Sequence, residues 1–466
     1  MASPSRLLQL PLELREEIYR HYFDPTTRLR PSDVPGTEEY RFEFELLRTS
    51  KQVYDEGTRV FRRTNVFVRV ETPWPQAVAH ISHDGLVPIV LAPTATSLTF
   101  KLHTATITIS SPSHNVEAGH VIILLLRDVS LFSQVWYYSS LNYSRLNEHL
   151  RVEIELRDPY YPADPKPIPR AIQEKLLLPF GMVKGLSEVE VRGFDDAVKR
   201  ELEKRMAIPY DTVGKCCDDC MALTTEGDVL LEKENNPEAA LDMYVKAFHA
   251  IHILIRGRTR RVLADHFFHR MIDTGSFSGQ TGTVVRIVLR LKLVSRVVNV
   301  YLKQGEWAEA AFWGMRTISI MREAMETSEF EDFINDFVGG MDMGSIYLRT
   351  GIAFRKLEET SPISPALGEY AGLPIATSSH LFKFAGKYLK QRFSHIIKKE
   401  LEDMEVRGVG DEAFVYVERG READSESMEH MDQEVAEAEL AVQMLVQGLM
   451  YVEDVDTDSD LEDVYA

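Results

Sequence analysis

A chain of 466 residues with 44% apolar side chains holds two or three domains with sizeable cores, and it has no run of about 18 apolar residues able to span a bilayer. The formal net charge of −19 is confined to the end: residues 400–466 carry 22 acidic and 3 basic side chains, which leaves 50 of each in residues 1–399. A neutral body with an acidic end disfavours nucleic acid as a partner, and an opening without a basic start or apolar stretch argues against secretion, so the expected compartment is the cytoplasm or nucleus.

The first predicted element is a helix. Pro11 suits a first helical turn, and Leu14, Ile18 and Tyr22 follow at helical spacing. Glu13, Arg15, Glu16, Glu17 and Arg20 fall on the other sides, and Pro25 and Pro31 stop the helix. A second helix sets Leu46, Leu47, Val53, Tyr54 and Val60 against polar Lys51, Asp55 and Glu56. Two such helices bury their stripes against each other or against a third partner. Residues 10–19 and 46–54 together resemble the F-box-like N-terminus of many fungal proteins, with Leu10, Pro11, Leu14 and Ile18 matching its start. The resemblance implies docking of these residues on the Skp-type adaptor of a cullin ubiquitin ligase. An F-box is continuous, whereas here residues 25–40 separate the helices.

Residues 65–70 alternate and are β-branched, which predicts a strand. Residues 97–102 and 105–109 are expected to pair as a hairpin. The apolar run 121–126 predicts a buried strand, and the aromatic-rich stretch 131–141 a helix or loop under the sheet. Residues 150–156 alternate as a half-buried strand. Five prolines make 158–169 a loop; a helix over 170–178 and a strand over 189–193 follow.

From Cys216 to about Lys399 the pattern is helical, and three stretches resemble tetratricopeptide repeats. In residues 237–247, Ala240, Tyr244 and Ala247 stand where that repeat wants small, large and small side chains. In residues 301–311, Gly305 closes a turn and Ala310 lets two helices approach. Residues 344–351 match a first helix ending in a turn at Gly351. Stacked helix pairs would leave a concave face for a protein partner. Residues 361–374 break the helices, 380–404 resume them, and 434–452 place Val435, Ala438, Val442, Leu445 and Leu449 on one helical face. Residues 408–433 and those from 453 onward are expected to be disordered. Thr457 and Ser459 each precede an acid by three residues, a pattern that resembles acidophilic kinase substrates.

Catalytic and metal chemistry is weakly signalled. Cys217 and Cys220 form one C-x-x-C beside Cys216, without a second cysteine pair; His249/His252 and His266/His269 are the pairs that could complete a zinc site. The expected alternative is a loop of reduced thiols, with no metal. No Gly-x-Ser-x-Gly elbow or phosphate loop occurs, and the Gly-Gln-Thr-Gly of residues 279–282 lacks the lysine that a phosphate loop needs. One basic run, Arg256, Arg258, Arg260 and Arg261, interrupts the neutral body.

The expected fold class is α+β: residues 1–70 an F-box-like helical element, 71–210 an α+β region, 211–404 a tetratricopeptide-like helical region, and 405–466 an acidic, largely disordered tail with one amphipathic helix. The leading expectation is a non-enzymatic, intracellular interaction protein without cofactor or metal. It would serve as a ubiquitin-ligase adaptor whose residues Leu10, Pro11, Leu14 and Ile18 meet a Skp-type protein and whose helical region meets a client. A structural scaffold, and an enzyme on an unfamiliar site, are the alternatives.

Overall fold

A computed structural model describes residues 6–32, 36–92, 94–112, 118–143, 145–161, 164–325, 340–360, 377–389 and 394–414. The expected break at 361–374, the helix over 434–452, Thr457 and Ser459 lie outside the described residues, apart from the flanking positions already given. The chain is α+β with a helical C-terminal region and divides into two compact units. One holds residues 1–211 and 259–267, the other residues 212–258 and 268 onward. No helix among the described residues is long and apolar enough to cross a membrane.

The first unit opens with α1 (Leu12–Tyr22) and α2 (Lys51–Thr64). Ser50 caps α2 by accepting from the Val53 N–H at 3.2 Å, which satisfies one of its free amides. A five-stranded mixed sheet follows, built from β1 (Phe67–Thr72), β2 (His103–Ser110), β3 (His120–Leu125), β4 (Arg151–Leu156) and β5 (Glu188–Arg192). Its order is β3-β1-β2-β4-β5, with β1/β2 and β4/β5 parallel and the other pairs antiparallel. Helix α3 (Val129–Asn142), α4 (Arg170–Leu177) and α5 (Asp196–Ala207) complete the unit. The aromatic stretch is therefore a helix, as one of its two expected forms.

One expectation here is corrected. Residues 97–102 do not pair with 105–109. Ala95–Thr99 is a short helix in which Thr94 and Ser97 cap each other's backbone, and β2 instead lies parallel to β1. The apolar run at 121–125 is an edge strand, yet both of its faces are buried. Its outer edge is covered: the Val90 N–H donates to the Ile123 carbonyl at 2.8 Å, and the Ile123 N–H to the Leu91 carbonyl at 3.0 Å. Covered edges explain why a continuous apolar run does not require a central position. One face of the sheet, with Phe67, Val121, Ile123 and Leu125, shares a core with Tyr19, Phe23, Val53, Val60 and Phe61 of the N-terminal helices.

The second unit is built mainly from helices that pack in successive pairs. They are α6 (Val213–Glu232), α7 (Pro237–Ala250), α8 (Gly282–Gln304), α9 (Trp307–Met325), α10 (Gly340–Thr360), α11 (Ser378–Leu389) and α12 (Ser394–Asp403). α6 packs on α7, α8 on α9 and α10 on α11, while α6, α8 and α10 also touch in succession. Ala240, Tyr244 and Ala247 are fully buried. Gly305 ends α8 at φ +75°, the left-handed conformation that a side chain disfavours, and the Glu306 N–H closes the turn on the Tyr301 carbonyl. Gly351 makes no turn: it lies inside α10, where the Phe382 ring packs 2.8 Å from the place its Cβ would occupy. A glycine read as punctuation is there for close helix packing. The three cysteines likewise lie on α6 and are buried; the expected loop is a helix.

Candidate functional site

α1 turns two different faces outward and inward. Leu14 keeps 53% of its surface exposed and Ile18 39%, one turn apart on the same side. Pro11 is exposed just before the helix, and Leu10 is half-buried. The four residues singled out by the resemblance thus fall on one short stretch, with the two central ones presenting apolar surface to solvent. Glu13, Glu17 and His21 are exposed on the same helix, and Glu17 pairs with Arg20. α2 adds Tyr54, also 53% exposed.

The inward face differs from the one that helical spacing predicts. Arg15 and Glu56, both assigned outward, face the interior, and Tyr54, assigned inward, faces out. The buried residues of α1 are Arg15 and Tyr19, followed by Phe23 at its end. The Arg15 guanidinium gives Nε and Nη2 to the two carboxylate oxygens of Glu56 at 2.8 and 2.7 Å, a paired fork-on-fork contact. It also donates to the Leu10 carbonyl. Tyr19 OH and Gln52 Nε2 complete the shell of Glu56 at 3.1 and 3.0 Å. The Arg15 hydrogen bond holds the Glu56 carboxyl down at about 2, against the cost of burial. Burial and the Glu56 carboxylate push the Tyr19 phenol up to about 12. Close approach of the helices depends on Gly57, whose Cβ would sit 2.6 Å from Leu47 Cδ2 and within 4 Å of Phe23 and Tyr19. The clamp fixes the rotation of α1, and that rotation is what leaves Leu14 and Ile18 outside. Periodicity could not find the clamp, because its partners are 41 residues apart and charged residues count as outward in any periodic reading.

In the helical unit, Cys216 Sγ lies 3.9 Å from His252 Nε2. Burial pushes the Cys217 and Cys220 thiols up to about 12 and the His252 imidazole down to about 3, with Arg286 adding to the latter. His252 is not on the helix with His249 but past its end, at φ +57°. Among the described residues no group of three or more His, Cys, Asp or Glu side chains is placed to hold a metal ion. Protonated, buried thiols are also poor nucleophiles.

A polar seam that the sequence did not signal crosses the same unit. Asp228 on α6 accepts from Arg296 Nε at 2.7 Å and from Tyr244 OH at 2.7 Å. Arg349 on α10 pairs with Glu400 at 2.7 Å and donates to the Ser295 carbonyl at 2.8 Å. Burial raises the Asp342 carboxyl pKa, against the pull of Lys292, Arg296 and Arg349. The seam joins α6, α7, α8, α10 and α12 through paired groups, which suits register between helices. No family model, curated protein or solved structure matches this chain.

Proposed function

We propose that the chain is a non-enzymatic docking protein that binds the Skp-type adaptor of a cullin ubiquitin ligase through Leu10, Pro11, Leu14 and Ile18 and carries a client on its helical unit. The observation that carries this reading is the exposure of Leu14 and Ile18 on a helix whose opposite face is tied down by Arg15, Tyr19 and Glu56. Isolated apolar side chains on a surface are ordinary, but two on adjacent turns of a rigidly held helix form a pre-organised contact for another helix. Polar Glu13 and Glu17 would form the rim such a contact needs. The successive helix pairs of the second unit support the client-binding part, since stacked pairs expose extended surfaces.

A second reading is favoured by the shared core of α1, α2 and the sheet: a scaffold whose N-terminal helices only cover Phe67 and Ile123. It predicts that nothing is held at Leu14. Co-expression of the full chain with a Skp-type adaptor separates the two. The docking reading expects both proteins in one size-exclusion peak at micromolar concentration, and separate elution contradicts it.

A further inference from the structure

Three side chains of the first unit stand in the order that activates a hydroxyl as a nucleophile. His80–Asp84 forms a single π turn, closed by the Gly85 N–H on the His80 carbonyl at 2.9 Å. Such wide turns recur at functional sites. The turn is seated on α3: a Cβ at Gly85 would lie 2.5 Å from a Val135 methyl, so the approach needs glycine. Ser139 lies one turn beyond Val135 on the same side of α3, and its Oγ is 2.7 Å from His80 Nε2. Across the ring, His80 Nδ1 is 3.0 Å from Asp84 Oδ2.

The protons follow from the neighbours. Arg261 donates Nη2 to His83 Nε2 at 3.2 Å, so the proton of His83 is on Nδ1, 3.0 Å from Asp84 Oδ1. Each oxygen of Asp84 thus accepts from one imidazole. Burial pushes the Asp84 carboxyl up, but the hydrogen bonds from His80 and His83 outweigh it and hold the carboxyl below its ordinary range. An ionised Asp84 keeps the proton of neutral His80 on Nδ1 and turns the Nε2 lone pair to Ser139. The Ser139 hydroxyl also reaches the Val135 carbonyl at 2.9 Å, but the imidazole is nearer and more basic. Ser139 is half-buried and the His80 side chain is 43% exposed, so a small reagent can meet both.

We propose that Ser139 is a covalent modification site that takes a short acyl group from an acyl thioester, with His80 as general base and Asp84 as the residue that positions it. Ser139 Oγ attacks the thioester carbonyl carbon, and the hydroxyl proton passes to His80 Nε2. The O–C bond forms, the C–S bond breaks, and the departing sulfur takes the proton from Nε2 and leaves as thiol. A thioester suits the site because a thiol, with pKa near about 8.5, leaves far more easily than an alcohol. Within a helix the Ser139 amide is bonded to the preceding turn and supplies no oxyanion donor of the kind hydrolases use. The acyl group therefore stays, one per chain, and the step is a modification rather than a turnover, independent of adaptor docking.

The full chain incubated with S-acetyl-N-acetylcysteamine, a small acetyl thioester, tests the site by peptide mass spectrometry. An acetyl group on Ser139 is expected, removable by hydroxylamine, which cleaves an ester and spares the amide of an acetylated lysine. The same serine in the chain unfolded in urea is expected to react about 100-fold more slowly, the low end of what a positioned base contributes. His80→Ala, with its circular dichroism retained, is expected to lose the adduct and to regain part of it when imidazole is added. Asp84→Asn should react more slowly than Asp84→Glu, which keeps the charge that orients the ring. Should the variants fail to fold, the comparison of native and unfolded chain decides alone. No adduct on Ser139 of the native chain, a rate equal to that in urea, an unchanged rate in folded His80→Ala, or equal rates in the two folded Asp84 variants overturns the proposal and leaves these contacts as a link between the turn and α3.

Discussion

Changing Leu14 and Ile18 to Asp together separates docking from folding. Fully burying a leucine or isoleucine side chain stabilises a contact by about 1.5–3 kcal/mol. These two have 53% and 39% of their surface left to cover, so each contributes roughly 1 kcal/mol to an interface and the pair roughly 2 kcal/mol. That is about 30-fold in affinity, and leaving two carboxylates in the contact raises the loss to about 100-fold or more. The folded chain loses much less, because the side chains already face water: about 1 kcal/mol or less per site. Melting of the N-terminal unit should then fall by only a few degrees, at about 2–4 °C per kcal/mol for a unit of this size. Phe23→Ala is the contrasting control. Its ring is fully buried against Phe61, with centroids 5.2 Å apart, and its removal should cost about 3–5 kcal/mol. Paired melting curves and surface-bound affinity measurements against purified adaptor read both quantities. A double variant that unfolds, or one that stays folded and binds as before, refutes the reasoning.

Stability should fall in acid, in steps set by particular groups. His103 in β2 is 4% exposed, and burial beside Arg157 and Arg69 holds its imidazole down at about 4. The unfolded histidine takes its proton near pH 6.5, so the native state is favoured fully above that pH and loses stability as pH falls from about 6.5 to about 4. The gap is worth roughly 3 kcal/mol, and urea midpoints measured from pH 7 to 4 should show it shrink in His103→Leu. Glu56 adds a lower window: its stabilisation is complete above pH 4.5 and is lost as pH falls toward about 2. Gly227→Ala places a Cβ 2.5 Å from the Tyr244 ring, which also holds Asp228; about 1–3 kcal/mol of stability should go with it, seen as an earlier melt of the helical unit. Cys217 and Cys220, buried and with thiols raised to about 12, should resist alkylation at pH 8 until the chain is unfolded, as mass spectrometry would record; rapid labelling of the native chain contradicts their placement.

Where one physical signal decided the local structure, the sequence was readable. Alternation placed β1, β4 and β5 within two residues, and the small-large-small spacing of Ala240, Tyr244 and Ala247 correctly marked a packed face of α7. Failures came where distant partners overrode a local pattern. Arg15 falls among the polar positions of α1 by helical spacing, yet Glu56 pairs with it across two helices and draws it inward. Residues 97–102 have strand composition, yet the reciprocal cap of Thr94 and Ser97 starts a helical turn. Gly351 and the cysteines show the same thing for packing: a glycine can end a helix or admit Phe382, and a C-x-x-C can line a loop or a buried helix face.

Hydrogen–deuterium exchange of the unmodified chain, alone and mixed with a Skp-type adaptor, tests the central claim most directly. The account predicts that the adaptor slows exchange in peptides covering residues 10–22 and leaves the sheet strands and the helical unit as they were. Unchanged exchange across residues 10–22 at saturating adaptor, with Leu14 and Ile18 still open to solvent, would contradict it.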